Sequence, residues 1–262
     1  MKISLAQINV LSGKVAENTA KMVSYIEKAK SENTDIVVFP EMTDTGYDMQ
    51  VILEKATSWE IGTVPTLCAA AKQHHINVIA GVSEKIGTEV YNGIVVINRS
   101  GEIVGRYHKT HLITAEPMLE HHFLKAGDTL GQIEIEGHKI GLMTCYEIRF
   151  PEMARTLALW GAEVLIIPAA WPLVRLPHWE NLIVARAIEN QVYVAATSRL
   201  GNDTGVQFAG TSMIIGPYGN VMASGSQIHE ALISADIDFE QINIVRSQIK
   251  VHQDRRTELY QL

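Results

Sequence analysis

The sequence predicts an α/β chain with mixed sheets, on three observations. Short β-branched runs alternate with stretches of helical periodicity, hairpin turns join strands later in the chain, and 262 residues at 47% hydrophobic content can bury a substantial core. No low-complexity segment, proline-rich linker or internal repeat divides the chain, so one domain over residues 1–262 is expected.

Residues 3–10 alternate as a strand, and 16–30 carry Met22, Val23, Ile26 and Ala29 at helical spacing. DIVVF at 35–39 suits a strand buried on both faces. The alanine-rich 66–74 reads as helix and 76–82 as strand, followed by strands at 91–98 and 103–108 that turn at Arg99-Ser100-Gly101. The stretch 110–129 has no clear period and reads as loop, while 133–135 and 140–144 flank a turn at Gly137. A helix is expected over 150–159, where Pro151 fits a first turn, then a buried strand over 163–167 and a helix over 179–190. Strands over 192–197, 211–215 and 231–237 complete the pattern, with Gly216-Pro217-Tyr218-Gly219 as a turn.

Composition removes several function classes. Lys+Arg 22 against Asp+Glu 29 gives a net charge of −7, which argues against a nucleic-acid partner. The opening residues lack the apolar block of a signal peptide, and the most apolar stretch, 164–174, is too short to span a bilayer and contains Pro168 and Pro172. The two cysteines, Cys68 and Cys145, allow neither a disulfide framework nor a four-cysteine zinc site, so a cytoplasmic location is expected. There is no GxGxxG fingerprint, P-loop or HExxH helix, and the nearest approach to a serine elbow, 210–214, lacks its final glycine.

Three segments carry candidate chemistry. Glu41 follows the buried strand at 35–39 directly, where α/β sheets place ligands, although a solvated loop glutamate fits the same position. Lys109 follows the strand at 103–108 in the same way. Cys145 ends an apolar strand just before a helix. That puts its thiol on a strand-to-helix turn, where backbone N–H groups can stabilise an oxyanion. An inert buried cysteine is the competing reading, and Cys68, among alanines on a helix, fits it better. Two readings of other classes stand beside this one: a metallohydrolase built on His108, His111 and His121, and a non-catalytic interaction protein. The histidine spacing matches no established zinc signature.

FPEM around Glu41, YHKTHL around Lys109 and CYEIRFPE from Cys145 resemble, in order and spacing, the three hallmark blocks of the nitrilase, or carbon–nitrogen hydrolase, superfamily. The resemblance extends through Pro168-Ala-Ala-Trp171, the HWENL run from His178, and residues 185–193. Residues 120–127 and 170–175 are most similar to the ω-amidase branch. The resemblance implies a four-layer α-β-β-α sandwich with two mixed β-sheets. It also implies an amidase that hydrolyses the terminal amide of a small carboxylate-bearing substrate through a cysteine thioester. N-carbamoyl amide hydrolase, deaminated-glutathione amidase and nitrilase activities are the alternatives within the superfamily.

On this resemblance Cys145 is the nucleophile, Glu41 the base, and Lys109 with the Tyr146 backbone N–H the oxyanion site. Glu120 matches the second active-site glutamate, and Trp171 and Arg175 fall on the substrate-facing segment, with Arg175 expected to pair with a substrate carboxylate. Tyr47 is expected to line the pocket, and Glu147 stands where many relatives carry aspartate. The implied chemistry needs no metal or organic cofactor. A homodimer is expected, with the tail 249–262 reaching the partner.

Overall fold

A computed structural model describes residues 1–260; the last two residues of the tail expectation, 261–262, lie outside them. In chain order the elements are β1 (Lys2–Gln7), α1 (Val15–Ser31), β2 (Ile36–Phe39), α2 (Met49–Lys55), α3 (Thr63–His74), β3 (Asn77–Ile86), β4 (Glu89–Ile97) and β5 (Ile103–His108). Then come β6 (Gly131–Ile135), β7 (His138–Leu142), α4 (Pro151–Leu159), β8 (Val164–Ala169), α5 (Leu176–Asn190) and β9 (Tyr193–Ser198). Two-residue strands β10 (Asn202–Asp203) and β11 (Val206–Gln207) precede β12 (Met213–Ile215), β13 (Val221–Ser224), β14 (Ala231–Asp236) and α6 (Glu240–Gln248).

Two six-stranded sheets result, in the orders β14-β1-β2-β3-β4-β5 and β13-β12-β9-β8-β7-β6. Both are mixed: β1, β2 and β3 run parallel, as do β7, β8 and β9, and the outer strands pair antiparallel.

The period-2 alternation of strand side chains decides the layering. On β1 and β2, Ile3, Leu5, Ile36 and Val38 face the second sheet and join Ile140, Leu142, Val164 and Val194 in one core. The intervening Ala6, Val37 and Phe39 face the other way, against Met22, Ile26 and Ala29 of α1 and Leu67, Ala70 and Ala71 of α3. Helices α4 and α5 cover the outside of the second sheet through Met153, Leu157, Trp179, Ile183 and Ala187. The order of layers is helix, sheet, sheet, helix.

Two helices go beyond the periodicity reading. α2 is only seven residues long, too short for a periodic signal, and starts where the Asp48 side chain accepts from Gln50 N–H at 2.9 Å. α6 is short and rich in β-branched residues that do not favour helix, and it is held by burial of Ile242 and Val245. β13 is also additional to that reading; it pairs antiparallel with β12 after the turn at Gly219.

Candidate active site

The parallel strands deliver their carboxyl ends to one rim. β2 stops at Phe39, so Pro40 and Glu41 follow at the sheet edge. β5, parallel to β3 through two antiparallel pairings, stops at His108 and presents Lys109. β7 stops at Leu142, two residues before Thr144, and Cys145 begins a 3-10 turn, Cys145–Arg149, with φ +45°. A left-handed φ on a non-glycine residue is strained, and such strain clusters at functional sites. β8 ends at Ala169, which brings the Ala170 N–H to the same place.

Close packing sets the position of Glu41. A Cβ added to Gly81 would stand 2.4 Å from the Pro40 carbonyl oxygen and 2.6 Å from Glu41 Cα, so only glycine on β3 lets that backbone approach.

Glu41, Lys109 and Glu120 are fully buried and share one hydrogen-bond cluster. Lys109 Nζ donates to Glu41 Oε1 at 2.9 Å and to Glu120 Oε1 at 2.9 Å. Glu41 Oε2 accepts from Ala170 N–H at 2.8 Å. Glu120 Oε1 accepts from the Tyr47 hydroxyl at 2.6 Å, and its Oε2 from Ile113 N–H at 2.8 Å. Tyr47 thus does more than line a pocket: it touches the acid cluster.

The electrostatics follow from burial and charge. Burial alone would lower the Lys109 ammonium, but Glu120 and Glu41, with Cys145, outweigh it and hold the group above its ordinary value. Burial, reinforced by the Glu41 charge, pushes the Cys145 thiol well above its usual value; Lys109 and a hydrogen bond from the Ala170 backbone oppose this only in part. The thiol therefore rests protonated beside a carboxylate and an ammonium. Such a sulfur becomes nucleophilic when a base removes its proton during attack.

Glu147 ties the cysteine turn to the lysine loop. Its Oε2 accepts from Thr144 N–H at 2.7 Å, and its Oε1 accepts from the Tyr107 hydroxyl at 2.6 Å and from Thr110 N–H at 2.7 Å. Burial would raise this carboxyl, but hydrogen bonds from His111, Tyr107, Thr110 and the Thr144 backbone hold it below the ordinary glutamate range.

Trp171 is buried against Trp179, with ring centroids 5.2 Å apart, and its indole N–H donates to the Arg175 carbonyl at 2.8 Å. Arg175 borders a cleft of about 350 Å³ with Met118, Leu173 and Val206. A neighbouring cleft of about 330 Å³ is bordered by Tyr47, Met49, Met118, Phe123 and Phe208. Arg149 stands 4.9 Å over the Trp171 ring, and burial, then the like charge of Arg175, lower its guanidinium while Cys145 raises it. Two guanidiniums thus lie within electrostatic reach of each other, one of them within reach of the thiol too, and among the described residues neither makes an ion pair.

The histidines do not form the metal cluster of the rival reading. His108 bonds Glu84 at 2.6 Å and stacks on Tyr91; His111 stacks on Phe150; His121 Nδ1 lies 3.2 Å from the Ile113 carbonyl. Each ring has its own structural partner. Among the described residues no three His, Cys, Asp or Glu side chains are arranged to hold a metal ion.

Asn92, whose Nδ2 donates to Glu41 Oε1 at 2.7 Å, Arg149 and the Ala170 N–H are the participants that sequence reasoning missed as site groups. The only signal for Asn92 was an amide and a glycine interrupting the β-branched run YNGIVVIN.

A family model described as carbon-nitrogen hydrolase matches residues 2–247. A 2-oxoglutaramate amidase of Bacillus subtilis is 40% identical over 259 residues, covering 98% of this chain and 98% of that protein. Omega-amidase NIT2 of Homo sapiens is 31% identical over 267 residues, covering 99% of this chain and 96% of that protein. Among solved structures, Saccharomyces cerevisiae Nit3, described as a member of branch 10 of the nitrilase superfamily, matches with a TM-score of 0.90 at 28% identity, covering 98% of this chain and 96% of the other.

Proposed function

This chain belongs to the carbon–nitrogen hydrolase family, and on that premise we propose that it is an ω-amidase-like enzyme. It hydrolyses the terminal amide of a small, carboxylate-bearing substrate to the acid and ammonia. One observation carries the reading: the buried Glu41–Lys109 ion pair at 2.9 Å, set beside the Cys145 thiol on a left-handed turn.

Glu41 accepts the Cys145 proton as Sγ bonds to the amide carbon. The carbonyl oxygen, now an oxyanion, is held by the Lys109 ammonium and the Tyr146 N–H. Collapse breaks the carbon–nitrogen bond, and Glu41 passes its proton to the leaving nitrogen, which departs as ammonia. A thioester remains. Water then gives a proton to Glu41 and its oxygen to the acyl carbon, the carbon–sulfur bond breaks, and the proton returns to sulfur. Glu120 holds Lys109 in place through its own 2.9 Å contact. Arg149 and Arg175 take the substrate carboxylate, since two guanidiniums within electrostatic reach of each other, one of them also within reach of the thiol, favour an anion.

In the same reading the enzyme works as a cytoplasmic homodimer. The dimer is supported by exposed apolar residues, Leu159 at the end of α4, Trp160 after it, Ile188 on α5, and Ile249 and Tyr260 in the tail, the last two bordering a cavity of about 840 Å³ with Arg155 and Glu189. None of the candidate site residues borders that cavity. No described helix is long and apolar enough to cross a membrane. Light scattering at micromolar concentration tests the dimer, and a monomer mass contradicts it.

The test of the activity is ammonia release across 2-oxoglutaramate, succinamate, glutamine, N-carbamoyl amino acids and simple nitriles. Acidic monoamides should be turned over fastest. Preference for a nitrile or a carbamoyl substrate would overturn the ω-amidase reading.

A further inference from the structure

Asn92 lies in the middle of β4, where the register pairs it with Ser83 of β3 and sets Gly93 opposite His108. Its backbone carbonyl accepts from Lys109 N–H at 2.9 Å. Its side-chain Nδ2 donates to Glu41 Oε1 at 2.7 Å and reaches Glu120 Oε1 at 3.3 Å. These are the two oxygens that Lys109 Nζ also contacts, at 2.9 Å each. The two acids are therefore joined by one cation and one neutral amide. The other half of that amide is unused: among the described residues, buried Asn92 Oδ1 has no hydrogen-bond partner.

An asparagine that stabilised the fold would be expected to satisfy both halves, because a buried unpaired acceptor carries a desolvation penalty. Here only the donor half is used, and it is used on the two carboxylates. A second cation in this place would overcompensate them, and an apolar side chain would leave the lysine alone to hold both. We propose that Asn92 is a positioning residue for the amidase reaction, fixing the Glu41 and Glu120 carboxylates on Lys109 so that Glu41 Oε2 stays on the Ala170 N–H. The proposal rests on the function read above for Glu41, Lys109 and Cys145. The groups facing Asn92 in that cluster are Glu41, Glu120 and Lys109, with Cys145 and Tyr47 adjoining.

The test compares wild type, Asn92→Asp and Asn92→Ser on whichever amide wild type turns over best, with kcat and KM measured from pH 5.5 to 8.5 and folding checked by thermal melts. Asn92→Asp keeps the shape but replaces the donor by a third acid. Its kcat should fall by roughly 100-fold at pH 8, with KM nearly unchanged. Protonation at lower pH restores a donor, so its kcat relative to wild type should recover by about tenfold toward pH 5.5. Asn92→Ser, smaller and still able to donate, should lie between wild type and Asn92→Asp. A folded Asn92→Asp whose activity relative to wild type is flat with pH, or equals wild type throughout, overturns the proposal. So does failure of both variants to fold, which would make Asn92 a framework residue. An absence of amide turnover by wild type would instead remove the underlying function, and is read separately.

Discussion

Lys109 and Glu41 meet at 2.9 Å with both side chains completely removed from solvent. An isolated buried ion pair of this kind contributes little to stability against an apolar replacement, yet breaking it leaves a charge stranded. Lys109 strands two, because Glu120 depends on the same ammonium.

Replacement of Lys109 by methionine should therefore destabilise the protein by roughly 3–5 kcal/mol and abolish ammonia release. Urea unfolding and a turnover assay check this together. A stable, active Lys109→Met protein would contradict the geometry of the cluster.

The turn that opens at Cys145 is braced by Glu147, whose folded-state carboxyl sits below its ordinary value. The unfolded chain then binds more protons as pH falls. The stabilisation is present above the ordinary glutamate value of about 4.3 and is lost as pH drops through the lower folded-state value. Urea midpoints of wild type should fall steeply below about pH 4.3. Glu147→Gln should start lower and lose less over the same window; parallel curves would count against the assignment.

Gly81→Ala places a methyl group 2.6 Å from Glu41 Cα. Backbone must move, and it is the backbone carrying the proposed base. A fall in kcat of about 100-fold is expected, measurable in a variant that still folds. Full activity would mean that Glu41 tolerates displacement.

If Arg149 and Arg175 take the substrate carboxylate, alanine at either position should raise KM for acidic monoamides by roughly 10–100-fold, about 1.5–3 kcal/mol for a charge-assisted bond. Neutral amides of equal length should be little affected. Equal losses on both substrate types would place the arginines in the framework.

Much of this arrangement was legible in the chain itself, for local reasons. Glu41 and Lys109 stand one or two residues past short strands, and parallel strands bring such ends to one rim. Cys145 was legible as the first residue of a turn, though its left-handed φ was not. Asn92 was hidden because its contacts come from register across β3, β4 and β5, which no local pattern reveals. Arg149 was hidden for a similar reason, because its relation to Arg175 depends on how the 3-10 turn packs against Trp171. The histidine cluster dissolved because neighbouring ring positions on a strand end and loop point to different partners, Glu84 for His108 and Phe150 for His111.

The most direct measurement is intact-protein mass spectrometry of acid-quenched reactions with an acidic monoamide, run on wild type and on Cys145→Ala. Wild type should carry one acyl group, mapped to Cys145, that decays as free acid accumulates, and Cys145→Ala should carry none and release no ammonia. Ammonia release by Cys145→Ala at the wild-type rate, or an acyl group mapped to another side chain, would contradict the sulfur's role.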